Sequence, residues 1–278
     1  MRTAEQLKGK IRNYAKETGL MSQEILQMYL FERVIDRLSK SKYKENFVLK
    51  GGFLIASMIG INERTTMDMD TTVQGLPMNE DMIANIWKEI FMIDAADGID
   101  FIYDRIAPIR EDDDYHNFRI FFFARQGKIN NPMRLDITTG DRITPAAIEY
   151  NYRTIFDDGT IPVRAYNLET IIAEKYETII RRNIGTTRAR DFYDLHILYK
   201  LYKSKINFDI LKMAIRRTSE KRKSIDELQD WKEIIDELQE DAAVEFLWEN
   251  YRKENIYAAN YGYKDVMETL RIVGNSVN

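Results

Sequence analysis

The 278-residue chain contains no cysteine, which removes disulfides, thiolate metal sites and a cysteine nucleophile from consideration. Its two histidines, His116 and His196, are too few for a histidine-rich metal centre. No run of about 18 apolar residues occurs, so no membrane-spanning helix is expected. The opening residues Met1-Arg2-Thr3-Ala4-Glu5-Gln6 lack the apolar stretch of a secretory signal. These absences lead us to expect a cytoplasmic protein with no membrane partner. Proline is scarce and stops at Pro162, so nothing but Gly185, Gly262 and Gly274 punctuates the last third as a helix breaker would.

What is present is ordinary for a globular chain. Hydrophobic residues make up 44 %, enough for a sizeable core and too many for wholesale disorder. The net charge is −4, yet residues 175–223 hold fourteen Lys and Arg against five Asp and Glu. An excess of nine positive charges in an acidic chain is what a polyanion-binding face would show. Helices that simply expose their basic residues would show it too.

Apolar spacing predicts a helix over 3–18 closed by Gly19, and a second from an N-cap at Ser22 through Leu38. Phe47-Val48-Leu49 reads as a short buried strand, Gly51 to Ile59 as a helix, and the stretch Arg64 to Val73 as leading from a connector into a second strand that carries Asp68 and Asp70. A turn at Gly75-Leu76-Pro77, a helix over 79–93 and strands over Ile99–Ile109, Phe118–Ala124 and Met133–Thr138 follow. We expect a turn at Gly127, Asn130 and Asn131-Pro132, and a solvated hairpin loop at Glu111-Asp112-Asp113-Asp114. From Tyr166 onward the pattern is helical, over 166–183, 191–201, 207–222, 225–239, 241–255 and 263–273. The expected class is α+β, with a mixed sheet in residues 1–165 and a helical domain in 166–278.

Chemistry concentrates in Lys50-Gly51-Gly52 and Asp68-Met69-Asp70. Residues i and i+2 of a strand project from one face, so Asp68 and Asp70 would stand together. Paired carboxylates repel unless a cation neutralises them, and their hard oxygens suit Mg²⁺. Gly51 and Gly52 would let backbone N–H groups approach a triphosphate. Asp136, between Leu135 and Ile137, would add a third carboxylate if its strand lies beside that of Asp68 and Asp70, completing a set for two metal ions. Lys175, inside the first helix of the second half, is the candidate cation for the triphosphate. Asp191 and Asp194 open the next helix, where acids favour the helix dipole without needing a further role.

Taken in order, Leu49-Lys50-Gly51-Gly52, Arg64-x-Thr66-x-Asp68-x-Asp70, Leu135-Asp136-Ile137 with Gly140-Asp141, Glu174-Lys175 and Arg190-Asp191-x-x-Asp194-Leu195 resemble the AbiEii/AbiGii toxin family of nucleotidyltransferases, over roughly residues 22–200. The resemblance implies a DNA-polymerase-β-like nucleotidyltransferase core followed by a helical domain that contributes Lys175 and Asp191 to the active cleft. It also implies the toxin of a toxin–antitoxin pair in abortive infection or phage defence, neutralised by a cognate antitoxin. The expected reaction moves a nucleotide from an NTP to RNA, with tRNA the foremost acceptor, releasing pyrophosphate. Asp68, Asp70 and Asp136 would hold two Mg²⁺ ions, Gly51, Gly52 and Thr66 would bind the nucleotide with Lys175, and Asp191 would orient Lys175 or the base-side helix. Many nucleotidyltransferases carry Gly-Ser after the first strand, whereas this chain has Gly51-Gly52, so phosphate contact there would fall to the backbone, with Thr65 or Thr66 offering a hydroxyl. Two alternatives stay open: nucleotidyl transfer onto a protein hydroxyl, and an NTP-binding interaction protein that performs no chemistry.

Overall fold

The computed structural model describes residues 3–109 and 117–277. The acidic run at 111–114 and His116 lie outside them. The chain divides into two compact units, residues 1–140 with 148–165, and residues 141–147 with 166–278.

The first unit opens with α1 (Ala4–Thr18), capped by the Thr3 side chain and closed by Gly19 in the left-handed region, followed by α2 (Ser22–Lys40). Met21, and not Ser22, occupies the N-cap of α2: Glu24 folds back to accept from the Met21 N–H at 3.2 Å. Then come β1 (Phe47–Lys50), α3 (Gly51–Ile59), β2 (Met69–Val73), α4 (Glu80–Phe91), β3 (Asp100–Pro108), β4 (Phe118–Gln126), β5 (Ile129–Thr139), β6 (Ile148–Arg153) and β7 (Thr160–Ala165). The seven strands form one mixed sheet in the order β3-β4-β5-β2-β1-β7-β6. β2 runs parallel to β5 and β1 parallel to β7, and the remaining pairs are antiparallel.

Three expectations are corrected here. The strand expected to carry both Asp68 and Asp70 starts at Met69, so Asp70 lies on it and Asp68 just before it. The Thr66 hydroxyl bonds the N–H and the carbonyl of Asp68, at 3.3 and 3.2 Å, and such local bonding competes with the ladder. The turn after β4 closes at Gly127, so Asn130, Asn131 and Pro132 belong to β5. Pro132 is tolerated because β2 pairs with β5 only from Leu135 onward, leaving that stretch without a partner on one side. Finally, β6 and β7 are strands that the sequence pattern did not reveal.

Helices α2, α3 and α4 share one face of the sheet through an aromatic core. Phe47 packs on Trp87 at 5.0 Å between ring centres, Phe91 on Phe122 at 4.6 Å, and Phe53 between Phe31 and Tyr152 at 5.5 and 5.3 Å. The alternation of β4 sends Ile120, Phe122 and Ala124 into this core and Arg119, Phe121 and Phe123 to the opposite face.

The second unit comprises α5 (Leu168–Arg182), α6 (Ala189–Tyr202), α7 (Phe208–Arg222), α8 (Ile225–Gln229), α9 (Trp231–Glu240), α10 (Ala242–Glu254) and α11 (Tyr263–Val277), with short 3₁₀ turns between. The helix expected over 225–239 is two helices, divided at Asp230. Asn167 caps α5 through Thr170 N–H at 2.8 Å and also donates to the Thr144 carbonyl at 2.6 Å, fastening the strip 141–147 to this unit. Among the described residues, no helix is long and apolar enough to cross a membrane.

Candidate functional site

The sheet register builds the site. Asp70 of β2 is the direct partner of Asp136 on β5 and of Lys50 on β1, while Asp136 is in turn the partner of Arg119 on β4. Partners in register project from the same face, so Arg119, Asp136, Asp70 and Lys50 form one row across four strands, with the two acids at its centre. Asp68 lies two residues before Asp70, in the segment that leads into β2.

Lys50 ends β1 and Gly51 opens α3 with φ +67°. The glycine is required twice. Its backbone lies where L side chains are disfavoured, and a Cβ built there would overlap the Asp70 carboxylate. The Asp70 side chain therefore overhangs the first turn of α3, where backbone N–H groups have no intrahelical partner and the helix dipole favours an anion. A Cβ at Gly52 would approach the Arg64 guanidinium at 2.9 Å and the Thr66 hydroxyl at 3.0 Å. Thr66 thus reaches the glycine turn while bonding to the Asp68 backbone. The Thr65 hydroxyl is directed elsewhere, to Glu24 at 2.7 Å.

Two of the three acids hold arginines that sequence reading did not single out. Arg119 grips both oxygens of Asp136, at 2.6 and 2.7 Å, and Arg134 pairs with Asp68 at 2.7 Å. Hydrogen bonding to Asp136 holds the Arg119 guanidinium above its usual pKa, outweighing its partial burial. Among the described residues, no three His, Cys, Asp or Glu side chains are gathered as a ready metal cage. The donor set nevertheless fits a hard cation: adjacent carboxylates over a turn that only glycine can form, two of them now neutralised by guanidinium groups. Register is the signal that would have found Arg119, and it depends on pairing between strands that the sequence does not state.

In the second unit Lys175 of α5 lies 2.6 Å from Asp191 and 2.8 Å from Asp194 of α6, and Arg188 reaches the other Asp191 oxygen at 2.9 Å. Burial works to lower the Lys175 pKa, but the two carboxylates win and raise it. Both acids are fully enclosed, so the dipole argument that sufficed for them from sequence is incomplete: they anchor Lys175.

The family model for AbiEii, a nucleotidyl transferase toxin of a type IV toxin–antitoxin system, matches residues 33–269. Among solved structures, the chain is similar to a candidate nucleotidyltransferase from H. pylori, at 19 % identity and a TM-score of 0.52, over 93 % of this chain and 97 % of that one. It is also similar to JHP933 from Helicobacter pylori, at 19 % identity and a TM-score of 0.50, over 93 % of this chain and 94 % of the other. At such identity the likeness is one of fold. No curated protein matches the chain.

Proposed function

The chain belongs to the AbiEii nucleotidyl transferase toxin family, and from that premise we propose that it transfers a nucleotide from an NTP onto a hydroxyl of RNA, with tRNA the foremost acceptor. It is a nucleotidyltransferase and the toxin of a toxin–antitoxin pair, so an antitoxin is its partner. The observation that carries the proposal is the in-register pair Asp70–Asp136 above the Gly51 turn.

In this reading the N–H groups of Gly51 and Gly52 receive phosphate oxygens. Asp68, Asp70 and Asp136 are the residues that would hold Mg²⁺, which when bound neutralises their charge and that of the triphosphate. Asp136, on the β5 side of Asp70, orients the acceptor hydroxyl. The acceptor hydroxyl gives up its proton to solvent as its oxygen forms a bond to the α-phosphorus, the bond from that phosphorus to the bridging oxygen breaks, and pyrophosphate departs with the bridging oxygen. In the second unit, Lys175 and the Asp191 that anchors it are the residues whose loss we expect to abolish transfer.

Purified protein incubated with each α-labelled NTP, total RNA and Mg²⁺ tests the acceptor. The proposal expects label in RNA, and none with Lys175→Ala. Label found in protein instead would favour transfer to a protein hydroxyl and contradict it.

A further inference from the structure

The row beside the catalytic acids has a different character. Arg105 of β3, Phe121 of β4 and Arg134 of β5 are direct partners across three strands, on the face away from the helices. Arg105 lies over the Phe121 ring at 3.8 Å, while pairing with Asp104 at 2.8 Å. Phe121 is half-buried, and Arg105 and Arg134 are 59 % and 46 % exposed. Phe123, one row further, sits opposite Pro132. A cavity of about 340 Å³ opens here, lined among others by Met67, Arg105, Phe121, Phe123 and Arg134. Met67 directly precedes Asp68, and Arg134 is the residue paired with Asp68, so the cavity adjoins the acids.

An apolar floor made of an aromatic ring, rimmed by guanidinium groups, is poorly suited to a peptide hydroxyl and well suited to a nucleobase. Every base offers a π-face to a ring, and arginine adds a planar cation that both stacks and pairs with phosphate. Sheet order supplies the direction. The Gly51 turn lies on the β1 side of Asp70, and the cavity extends on the β4 and β3 side of Asp136. The triphosphate and this platform therefore flank the acids from opposite sides.

We infer that Phe121, with Arg105 and Arg134, is the stacking platform that seats the unpaired terminal base of a single-stranded RNA acceptor, and so selects RNA over protein. The inference rests on the nucleotidyl-transfer reading and adds the residues that choose its acceptor. Its mutations touch none of the groups assigned to triphosphate or metal.

The test is fluorescence anisotropy of a short labelled single-stranded oligoribonucleotide with the full chain in EDTA, where no transfer occurs. Loss of one base–aromatic stack weakens binding by roughly 5- to 150-fold. We expect that loss in Phe121→Ala and Phe121→Leu, retention in Phe121→Trp, and weaker binding in Arg105→Gln. Displacement of a fluorescent NTP analogue should be unchanged in all four, which also verifies that they fold. Unchanged RNA affinity in Phe121→Ala, or equal binding of a blunt RNA duplex by the parent chain, would overturn the platform. Failure of label transfer to any RNA would instead defeat the proposed reaction, and the anisotropy outcome would still decide whether RNA stacks on Phe121.

Discussion

Gly51 shows how much a single missing side chain carries. Its φ of +67° and the overlap a Cβ would make with Asp70 act together. Gly51→Ala should cost about 1–2 kcal/mol from the left-handed backbone alone. Because relief of the overlap must displace the Asp70 carboxylate, nucleotide transfer should fall at least about tenfold, the equivalent of some 1.4 kcal/mol of barrier. Paired urea unfolding and transfer assays check this, and full activity in the variant would refute the close approach. A second residue-scale expectation concerns His196, buried on α6 with its Nδ1 2.8 Å from the Thr269 hydroxyl. Burial, aided by Lys200, lowers its pKa below 6.5, against an opposing pull from Asp265 and Glu268. The unfolded chain therefore takes up a proton near 6.5 before the folded chain does, so this site's stability is present above pH 6.5 and is lost as pH falls below it. The fall in melting temperature from pH 7.5 to 5.5 should be smaller in His196→Gln than in the parent. The acids and glycines were legible as single letters in the sequence. Their guanidinium partners were not, because Arg119 and Arg134 acquire meaning only through strand register.

At the scale of elements, local chemistry was readable where caps and periodicity agree. Gly19 ends α1 and Asn79 caps α4 by accepting from Met82 N–H at 3.2 Å. β6 and β7 escaped because each has only six residues: β6 is mostly exposed, and β7, although it alternates buried and open positions, carries Pro162, a residue that argues against a strand interior. Their place in the sheet comes from tertiary pairing, β7 alongside β1 and β6 at the edge. Helix propensity is overridden in the same way at Gly274 in α11. Alanine at an exposed helix interior gains about 1 kcal/mol over glycine. Here a Cβ would run into the Trp231 ring and approach the Tyr176 hydroxyl at 2.9 Å. Gly274→Ala should therefore destabilise by roughly 1–3 kcal/mol, the usual range for overpacking. Urea denaturation decides it, since a gain in stability would show that α11 yields at that contact.

For the whole molecule, the change from mixed sheet to helices near residue 165 was visible in the loss of proline and the onset of continuous helical periodicity. The return of 141–147 to the helical unit was not, since it depends on Asn167 and Thr170 meeting the backbone of Thr144, at 2.6 and 3.0 Å. The family match and the sheet together make the molecule a nucleotidyltransferase toxin. We expect catalysis to depend on the Asp70–Asp136 pair above Gly51. The most direct measurement is incorporation of α-labelled NTP into total RNA by the parent chain and by Asp70→Asn, each with Mg²⁺ and with EDTA. We expect label only in the parent chain with Mg²⁺. Label transfer by Asp70→Asn at the parental rate, or by the parent chain in EDTA, would contradict it.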